Sequence, residues 1–391
     1  MIPFEDALQK VLSEVPVSRK VSCSLQEALG CVLASPVKVK DDHPGFHQSA
    51  MDGFAFAYAA WDKVSPLSVK AVIAAGDSAN VRLRKGEAAM VFTGAKIPTG
   101  ADTVVIREKV SLKGDMLQIL DNALLAGANV RLRGSHMRRG SIALPAGHAL
   151  NAPSIAFLAA MGVPQVKIHD RPRVAVIVTG NELVPPGERL RSGQVYECNS
   201  FGLQAAMEGL PVVVTHVLHC RDVPREMLKA LRKAAASADM VLFTGGVSAG
   251  DHDYVGEVLT DFGVKKIFHK VRQKPGKPVW FGRKGKQLFF GLPGNPASVL
   301  TCFYTLVRPA LQKWSGLGVR EPLCLKLEQS YTGKAGMTMI LKAQASDQSV
   351  RILGSQESYK LDAFAHANAL VLLGPEQDCL KAGEHVQVIR L

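Results

Sequence analysis

The sequence predicts an α/β multidomain protein, built on a central doubly wound α/β domain with β-rich regions before and after it. Three observations carry this. From Arg173 onward, apolar runs of strand length alternate with amphipathic helical stretches, as in parallel strands joined by helices. From Phe54 to about Ser141, short strands are separated by turns at Gly76-Asp77, Lys85-Gly86, Pro98-Thr99-Gly100, Lys113-Gly114 and Gly134. Beyond Pro322 come short β segments starting at Leu323, Met337, Val350, Ala369 and Val386.

Taken in order, Phe4 to Val15 places Leu8, Val11, Leu12 and Val15 on one helical face. Ser24-Leu25-Gln26-Glu27 is a capping box, which predicts a short helix stopping at Gly30. Cys31 to Ala34 reads as a short strand. Asp41 to Gly53 is a loop by composition, and Pro44 and Gly45 argue against a helix that would pair His43 with His47 on a metal. Val91 to Asp102 is a strand with a tight turn that presents Thr93 and bare amides, or simply a hairpin-like connection. Asn151 to Gly162 is a helix with Pro153 in its first turn and Gly162 at its end.

Val174 to Val178 is apolar without a break, as in a strand buried on both faces. Asn199 is placed to cap a helix running through Met207, and Val212 to Leu218 is the second strand. A helix begins at Arg221-Asp222 with Pro224 in its first turn and Asp222 as a candidate cap. Met240 to Phe243 is the third strand. It breaks at Gly245-Gly246, before a helix marked by Val255, Val258, Leu259 and Phe262. A strand-like Lys266 to His269 follows, then a hairpin of Pro278 to Phe281 with Gln287 to Phe290. Asn295 as cap with Pro296 in the first turn opens an apolar helix to about Trp314.

The strand ends carry the chemistry. A strand that breaks at Gly245-Gly246 and opens a helix gathers bare backbone N–H groups, which favours an anion. Asp251 and Asp253 would repel a phosphate unless a cation lay between, so the pair points to phosphate with Mg²⁺. A plain turn capped by Asp251 accounts for the same residues. In doubly wound sheets ligands sit beyond the carboxyl ends of the strands, and Glu182, Asp222, Asp251 and Asp253 all follow such ends. Lys274 and Lys277 flank Pro275-Gly276, so a rigid turn presents two ammonium groups.

Composition narrows the partners. The net charge of +13 points to an anionic partner. Nucleic acid is disfavoured, because no recognition motif accompanies the basic clusters and only 6% of residues are aromatic. Seven scattered cysteines without a C-x-x-C pair fit reduced thiols and a cytoplasmic setting. No apolar run is long enough for a membrane span, and the first residues lack a signal pattern.

Six ordered motifs resemble one family. They are Ser49-Ala-Met-Asp-Gly-Phe-Ala55, Phe92-Thr-Gly-Ala95 with Pro98 and Gly100-Ala-Asp102, Thr179-Gly-Asn-Glu-Leu183, Thr244-Gly-Gly-Val-Ser248, Lys274-Pro-Gly-Lys-Pro278 and Gly291-Leu-Pro-Gly-Asn-Pro-Ala-Ser298. Together they resemble the molybdopterin molybdotransferases, the MoeA proteins and the gephyrin E domain, over essentially the whole chain. The resemblance implies a linker region from residues 1–40 and 142–170, a β-rich insertion domain at 41–141, a molybdopterin-binding α/β domain at 171–317 and a C-terminal β-barrel-like domain at 318–391. It implies an elongated homodimer that inserts molybdate into adenylylated molybdopterin with Mg²⁺, releasing AMP. It also implies transient contact with the adenylyltransferase that acts one step earlier.

Carried onto this sequence, the family implies catalytic roles for Asp52, Thr93, Glu182, Asp222 and Asp253. Asp52 and Thr93 would come from the second subunit, and Glu182, Asp222 and Asp253 would hold the metal. Gly245, Gly246, Ser248, Lys274, Lys277, Pro293, Gly294, Asn295 and Ser298 would bind substrate. The departures are His47-Gln48 where the family usually has Asp-Asn, Phe54 in place of a Tyr, and a Gly354 to Asn368 segment with fewer glycines and an added Lys360. They leave room for a tungstate-specific paralogue or for a cofactor-binding scaffold without catalysis. Adenylylation of molybdopterin by the α/β domain is a further alternative.

Overall fold

The computed structural model describes residues 1–78, 80–247, 254–333 and 335–391. It forms two compact units. One contains Met1–Ser35, Gly147–Ala152 and Gln165–Leu391; the other contains Pro36–Ala146 and Pro153–Pro164.

The smaller unit is built on a six-stranded sheet in the order Thr103–Ile106, Gly53–Phe56, Glu87–Val91, Leu67–Ile73, Met116–Ile119 and Val110–Lys113. Alternation puts Phe54 and Phe56 on one face with Val105 and Leu117. Ala55 joins Ala89, Val91 and Val104 on the other. Both faces are therefore covered, and the short apolar runs of the sequence become a two-sided core. A Cβ at Gly53 would lie 2.0 Å from the Val105 carbonyl oxygen, so only glycine fits where this strand begins. The helix Ala152–Ala160 stops just before Gly162, whose φ is +70°.

In the larger unit the helix Phe4–Glu14 buries Phe4, Ala7 and Val11 in the core of the α/β sheet. Strand Lys20–Ser24 pairs antiparallel with Gln165–His169. The helix expected after Ser24 is absent: residues 25–27 form turns. The Ser24 hydroxyl donates to the Glu27 carboxylate at 2.8 Å, so the two capping side chains satisfy each other instead of backbone donors. Cys31 to Ala34 also falls short of a strand, making isolated bridges at Val32 and Leu33.

The central sheet has the strands β1 (Arg173–Thr179), β2 (Val213–Cys220), β3 (Met240–Thr244), β4 (Lys265–His269), β5 (Trp280–Lys284) and β6 (Gln287–Leu292). Their order is β2-β1-β3-β6-β5-β4. The first four are parallel; β5 and β4 close the sheet antiparallel. Helices α1 (Asn199–Met207), α2 (Pro224–Ala235), α3 (Tyr254–Asp261) and α4 (Pro296–Cys302) cover it. Val174, Val176 and Val178 face α1 and α4 through Leu203, Met207 and Val299. Ala175 and Ile177 face α2 and α3 through Met227, Leu231, Val255 and Leu259. This two-sided burial explains why β1 reads as an unbroken apolar run. Each fully buried Val or Ile in it stabilises the fold by about 1.5–3 kcal/mol relative to exposure.

Two helix expectations change. Asn199 is the first residue of α1, not its cap. The capping oxygens come from Glu197, which accepts the Ser200 N–H at 2.7 Å and the Ser200 hydroxyl at 2.6 Å. Asp222 likewise does not cap α2, whose N-cap is Val223. The helix expected to run to Trp314 is continuous but contains a π-helical turn at Phe303–Val307, before a final α segment Arg308–Trp314.

Beyond it, five strands close into a barrel. Thr338–Ala345 pairs with Ser349–Ile352, which pairs with Leu323–Leu327, then His385–Arg390, then Ala369–Leu373, which returns to Thr338–Ala345. Leu325, Leu341, Val350, Val371 and Val388 fill its interior. A two-residue strand from the α/β region, Gln273–Lys274, adds in parallel to Thr338–Met339.

Candidate functional site

A cleft of about 1210 Å³ opens in the larger unit at the carboxyl ends of β1, β2, β3 and β6. Its α/β wall contains Glu182, Asp222, Gly245, Gly246, Lys274, Lys277, Pro293, Gly294, Asn295 and Ser298. Those ten expected residues therefore come together. Its opposite wall comes from the barrel: Tyr331, Met337, Met339 and Leu341, with residues 356–359.

The glycines at the strand ends are fixed by close approach. Gly245 has φ +90°, and a Cβ there would lie 2.5 Å from the Thr179 carbonyl oxygen at the end of β1. Gly246 has φ +60°. The Gly245 N–H donates to the Leu292 carbonyl at 3.2 Å, and a Cβ on Gly294 would be 3.7 Å from the Gly245 Cα. Two bare backbone turns thus abut at the point where a doubly wound sheet receives its ligand.

The basic turn is built from beneath. Gln273 is fully buried. Its Nε2 donates to the carbonyls of Pro275 at 3.1 Å and Gly276 at 3.3 Å. Gly276 has φ +86°, and a Cβ there would meet the Cys302 sulfur at 2.4 Å. Held this way, Lys274 and Lys277 are exposed, and among the described residues neither ammonium has an ion-pair partner. Ser298 is 3% exposed and faces the cleft.

The carboxylates differ in their surroundings. Asp222 accepts a hydrogen bond from the Thr179 hydroxyl, and its N–H donates to Asn181 Oδ1 at 3.2 Å. Glu182 is exposed, with its Oε2 lying over Gly180. Asp253 and Ser248 lie outside the described residues, as does Asp251. Among the described residues no three His, Cys, Asp or Glu side chains gather as a metal set. Glu182 and Asp222 both line the α/β wall of the cleft, and Mg²⁺ bound to phosphates commonly takes one or two carboxylates.

Two thiols stand at this edge, Cys220 and Cys198. Burial, with Asp222 and Glu226 adding to it, pushes the Cys220 thiol up to about 11. Burial and then Glu197 raise that of Cys198. Both remain protonated at neutral pH and are poor nucleophiles.

Asp52 and Thr93 form a pair in the smaller unit. The Thr93 N–H and hydroxyl donate to Asp52 Oδ1 at 2.7 and 2.8 Å. These two bonds, the backbone one first, hold the Asp52 carboxyl below the usual carboxylate value, with Arg107 adding a smaller pull. His47, where the sequence departs from the family, accepts the Arg133 N–H at its Nδ1 at 3.1 Å.

Sequence reasoning missed four residues around the cleft. Asn199 is buried, and its Nδ2 donates to the Gly294 carbonyl at 2.9 Å. Gln273 supports the basic turn, Lys342 lies beneath the barrel wall, and Ser358 bonds to Asn295 at 3.0 Å. The signals available were small: a lone amide among Arg272 and Lys274, and a lone lysine inside the apolar run Met339 to Ala343.

The fold and the cleft define a class: a doubly wound anion-binding domain whose strand-end site is completed by a β-barrel. Three family profiles match, described as "MoeA N-terminal region (domain I and II)" over residues 2–162, "Probable molybdopterin binding domain" over 175–313 and "MoeA C-terminal region (domain IV)" over 325–391. A curated molybdopterin molybdenumtransferase of Nostoc sp. is 36% identical over 386 residues, covering 94% of this chain and 88% of that protein. One from Haemophilus influenzae is 32% identical, covering 99% and 98%. A solved structure of the molybdopterin biosynthesis MoeA protein from Pyrococcus horikosii matches with a TM-score of 0.85 at 28% identity, covering 100% of this chain and 99% of that one. The chain belongs to the MoeA family.

Proposed function

We infer that this chain is a molybdopterin molybdenumtransferase, which takes adenylylated molybdopterin and molybdate and releases AMP as molybdenum cofactor forms. The observation that carries this reading is the convergence, in one cleft, of bare strand-end glycines with two ammonium groups that have no ion-pair partner among the described residues. Both reactants are anions. The Gly245-Gly246 and Gly294 turns let backbone approach the phosphates closely, which bulkier residues would prevent. Lys274 and Lys277 offset the charge that two anions bring together. The Ser298 hydroxyl would donate to an oxyanion. Asn199 and Gln273 act one layer back, holding the Gly294 carbonyl and the basic turn in place.

Glu182 and Asp222, with Asp253, would hold Mg²⁺. When bound, the ion would offset charge on the anhydride oxygens and polarise the phosphorus. The chain works as a homodimer in this reading, and Asp52 and Thr93 reach the cleft from the second copy. The domain limits drawn above, the transient contact with the adenylyltransferase and a cytoplasmic setting belong to the same proposal.

The deciding experiment supplies purified protein with adenylylated molybdopterin and Mg²⁺, adds molybdate or tungstate, and measures AMP release and cofactor formation. Oxyanion-dependent AMP release is expected. Binding of the adenylate without AMP release would sink the enzyme and favour a scaffold. Formation of the adenylate from ATP would favour adenylylation.

A further inference from the structure

The barrel wall of the cleft rests on one unusual residue. Lys342 lies mid-strand and is 2% exposed. An ammonium has three N–H donors and no acceptor, and burying it is costly unless each donor finds a partner. Here each does: Nζ donates to the carbonyls of Ser355 at 2.5 Å, Glu357 at 3.2 Å and Lys360 at 3.3 Å. Among the described residues it makes no ion pair. Burial holds its pKa below the usual lysine value, against the pull of Asp362 and Glu357, with Lys360 opposing them.

The loop closes around this centre. Gln356 accepts the Lys342 N–H at 2.9 Å and returns Nε2 to the carbonyls of Lys342 at 2.9 Å and Leu353 at 2.7 Å. Ser355 takes φ +50°, a left-handed conformation that costs energy outside glycine. Its carbonyl makes the shortest of the three ammonium bonds, which offsets that cost. The loop then reaches the α/β wall through Ser358. Asn295 Nδ2 donates to the Ser358 hydroxyl at 3.0 Å, and the Ala297 N–H donates to the Ser358 carbonyl at 3.2 Å. Gln356, Glu357, Ser358 and Tyr359 all line the cleft.

We propose that Lys342 is the positioning residue of the barrel wall: residues 355–360 are wound on its buried ammonium, and through Ser358 it sets the Gly294-Asn295 turn that the substrate meets. The lysine acts through the loop and does not itself contact substrate. The substrate arm of the test rests on the transferase reading; the loop arm does not. A methionine of similar length leaves three carbonyls unmet and lets the loop rewind toward water.

The test is Lys342→Met and Ser358→Ala in the full chain, with amide hydrogen exchange and steady-state kinetics on adenylylated molybdopterin. In Lys342→Met, exchange at residues 355–360 is expected to quicken by about tenfold or more, with 369–373 changed less than about twofold. KM is expected to rise about tenfold with kcat kept within about twofold. Lys342→Arg keeps a cation and should keep the loop protected. Ser358→Ala, a one-atom change at a half-buried residue that still folds if the lysine variant does not, should raise KM several-fold without loosening the loop. A loop that stays protected in Lys342→Met, or loop and barrel amides that quicken together, overturns the proposal. So does an unchanged KM in Ser358→Ala. Wild-type protein without AMP release defeats the transferase reading alone, since the exchange result still decides the latch.

Discussion

The two walls of the cleft are built by different means. The α/β wall is made of backbone: glycines at strand ends, a proline turn and two lysines pointing outward. Its shape follows from close approaches that only glycine permits, such as Gly245 against Thr179. The barrel wall is made by a side chain, the buried Lys342, which dictates a loop in a segment where the sequence departs from the family pattern. Walls of the first kind announce themselves in sequence; walls of the second depend on one residue whose meaning appears only in three dimensions.

The comparison can be broken from the α/β side first. Lys277→Ala removes an ammonium that lines the cleft and has no ion-pair partner among the described residues. A loss of about 2.7–4 kcal/mol of transition-state stabilisation is expected, or roughly 10²–10³ in kcat/KM, with little change in folding. A loss below about tenfold would show that the turn is scaffolding only.

Gly245→Ala should act through the fold. The positive φ and the 2.5 Å clash with the Thr179 carbonyl predict destabilisation by about 1–3 kcal/mol, read as a lower urea midpoint with unchanged slope. Asn199→Ala should cost less, about 1–2 kcal/mol, by leaving the Gly294 carbonyl without its buried donor. If Asn199→Ala proves as costly as Gly245→Ala, side chains matter as much to the α/β wall as backbone does.

Mixing an Asp52→Ala variant with a Lys277→Ala variant asks whether the smaller unit serves a cleft on another copy. In a two-fold dimer with shared sites, random mixing restores about a quarter of wild-type activity. No recovery on mixing, with dimers present, would place Asp52 outside the cleft.

The smallest effect expected is electrostatic. Thr93→Ala removes a hydroxyl donor from the Asp52 carboxylate, so the Asp52 pKa should rise toward its ordinary value in an NMR titration. In the intact protein this depressed carboxylate favours folding above its unfolded pKa, and that contribution is lost as pH falls through the folded value. The variant should lose less stability on acidification than the parent.

How much of this was legible follows the same division. β1 was readable because Val174 to Val178 is buried on both faces, which leaves no polar residue to blur the run. The strand-end glycines and the Lys-Pro-Gly-Lys-Pro turn were readable because backbone geometry restricts which residues can stand there. The caps were misread for a shared reason. Asn199, Asp222 and Ser24 all have side chains that can cap, yet each spends its hydrogen bonds elsewhere: on Gly294, Thr179 and Glu27. Local sequence shows the capacity to cap but not the competing partner. Lys342 was invisible because strand periodicity treats a lone lysine as a surface residue, whereas its three partners lie in a loop 13 to 18 residues further on.

The short parallel pairing of Gln273–Lys274 with Thr338–Met339 bears on how the molecule could be dissected. The strand that leads into the basic turn borrows its hydrogen-bonding edge from the barrel. A chain cut after Trp314 would retain every glycine and lysine of the α/β wall, yet its basic turn would hang from an unzipped strand. The barrel is therefore no detachable accessory, and excising it would forfeit the anion site along with the wall it visibly supplies.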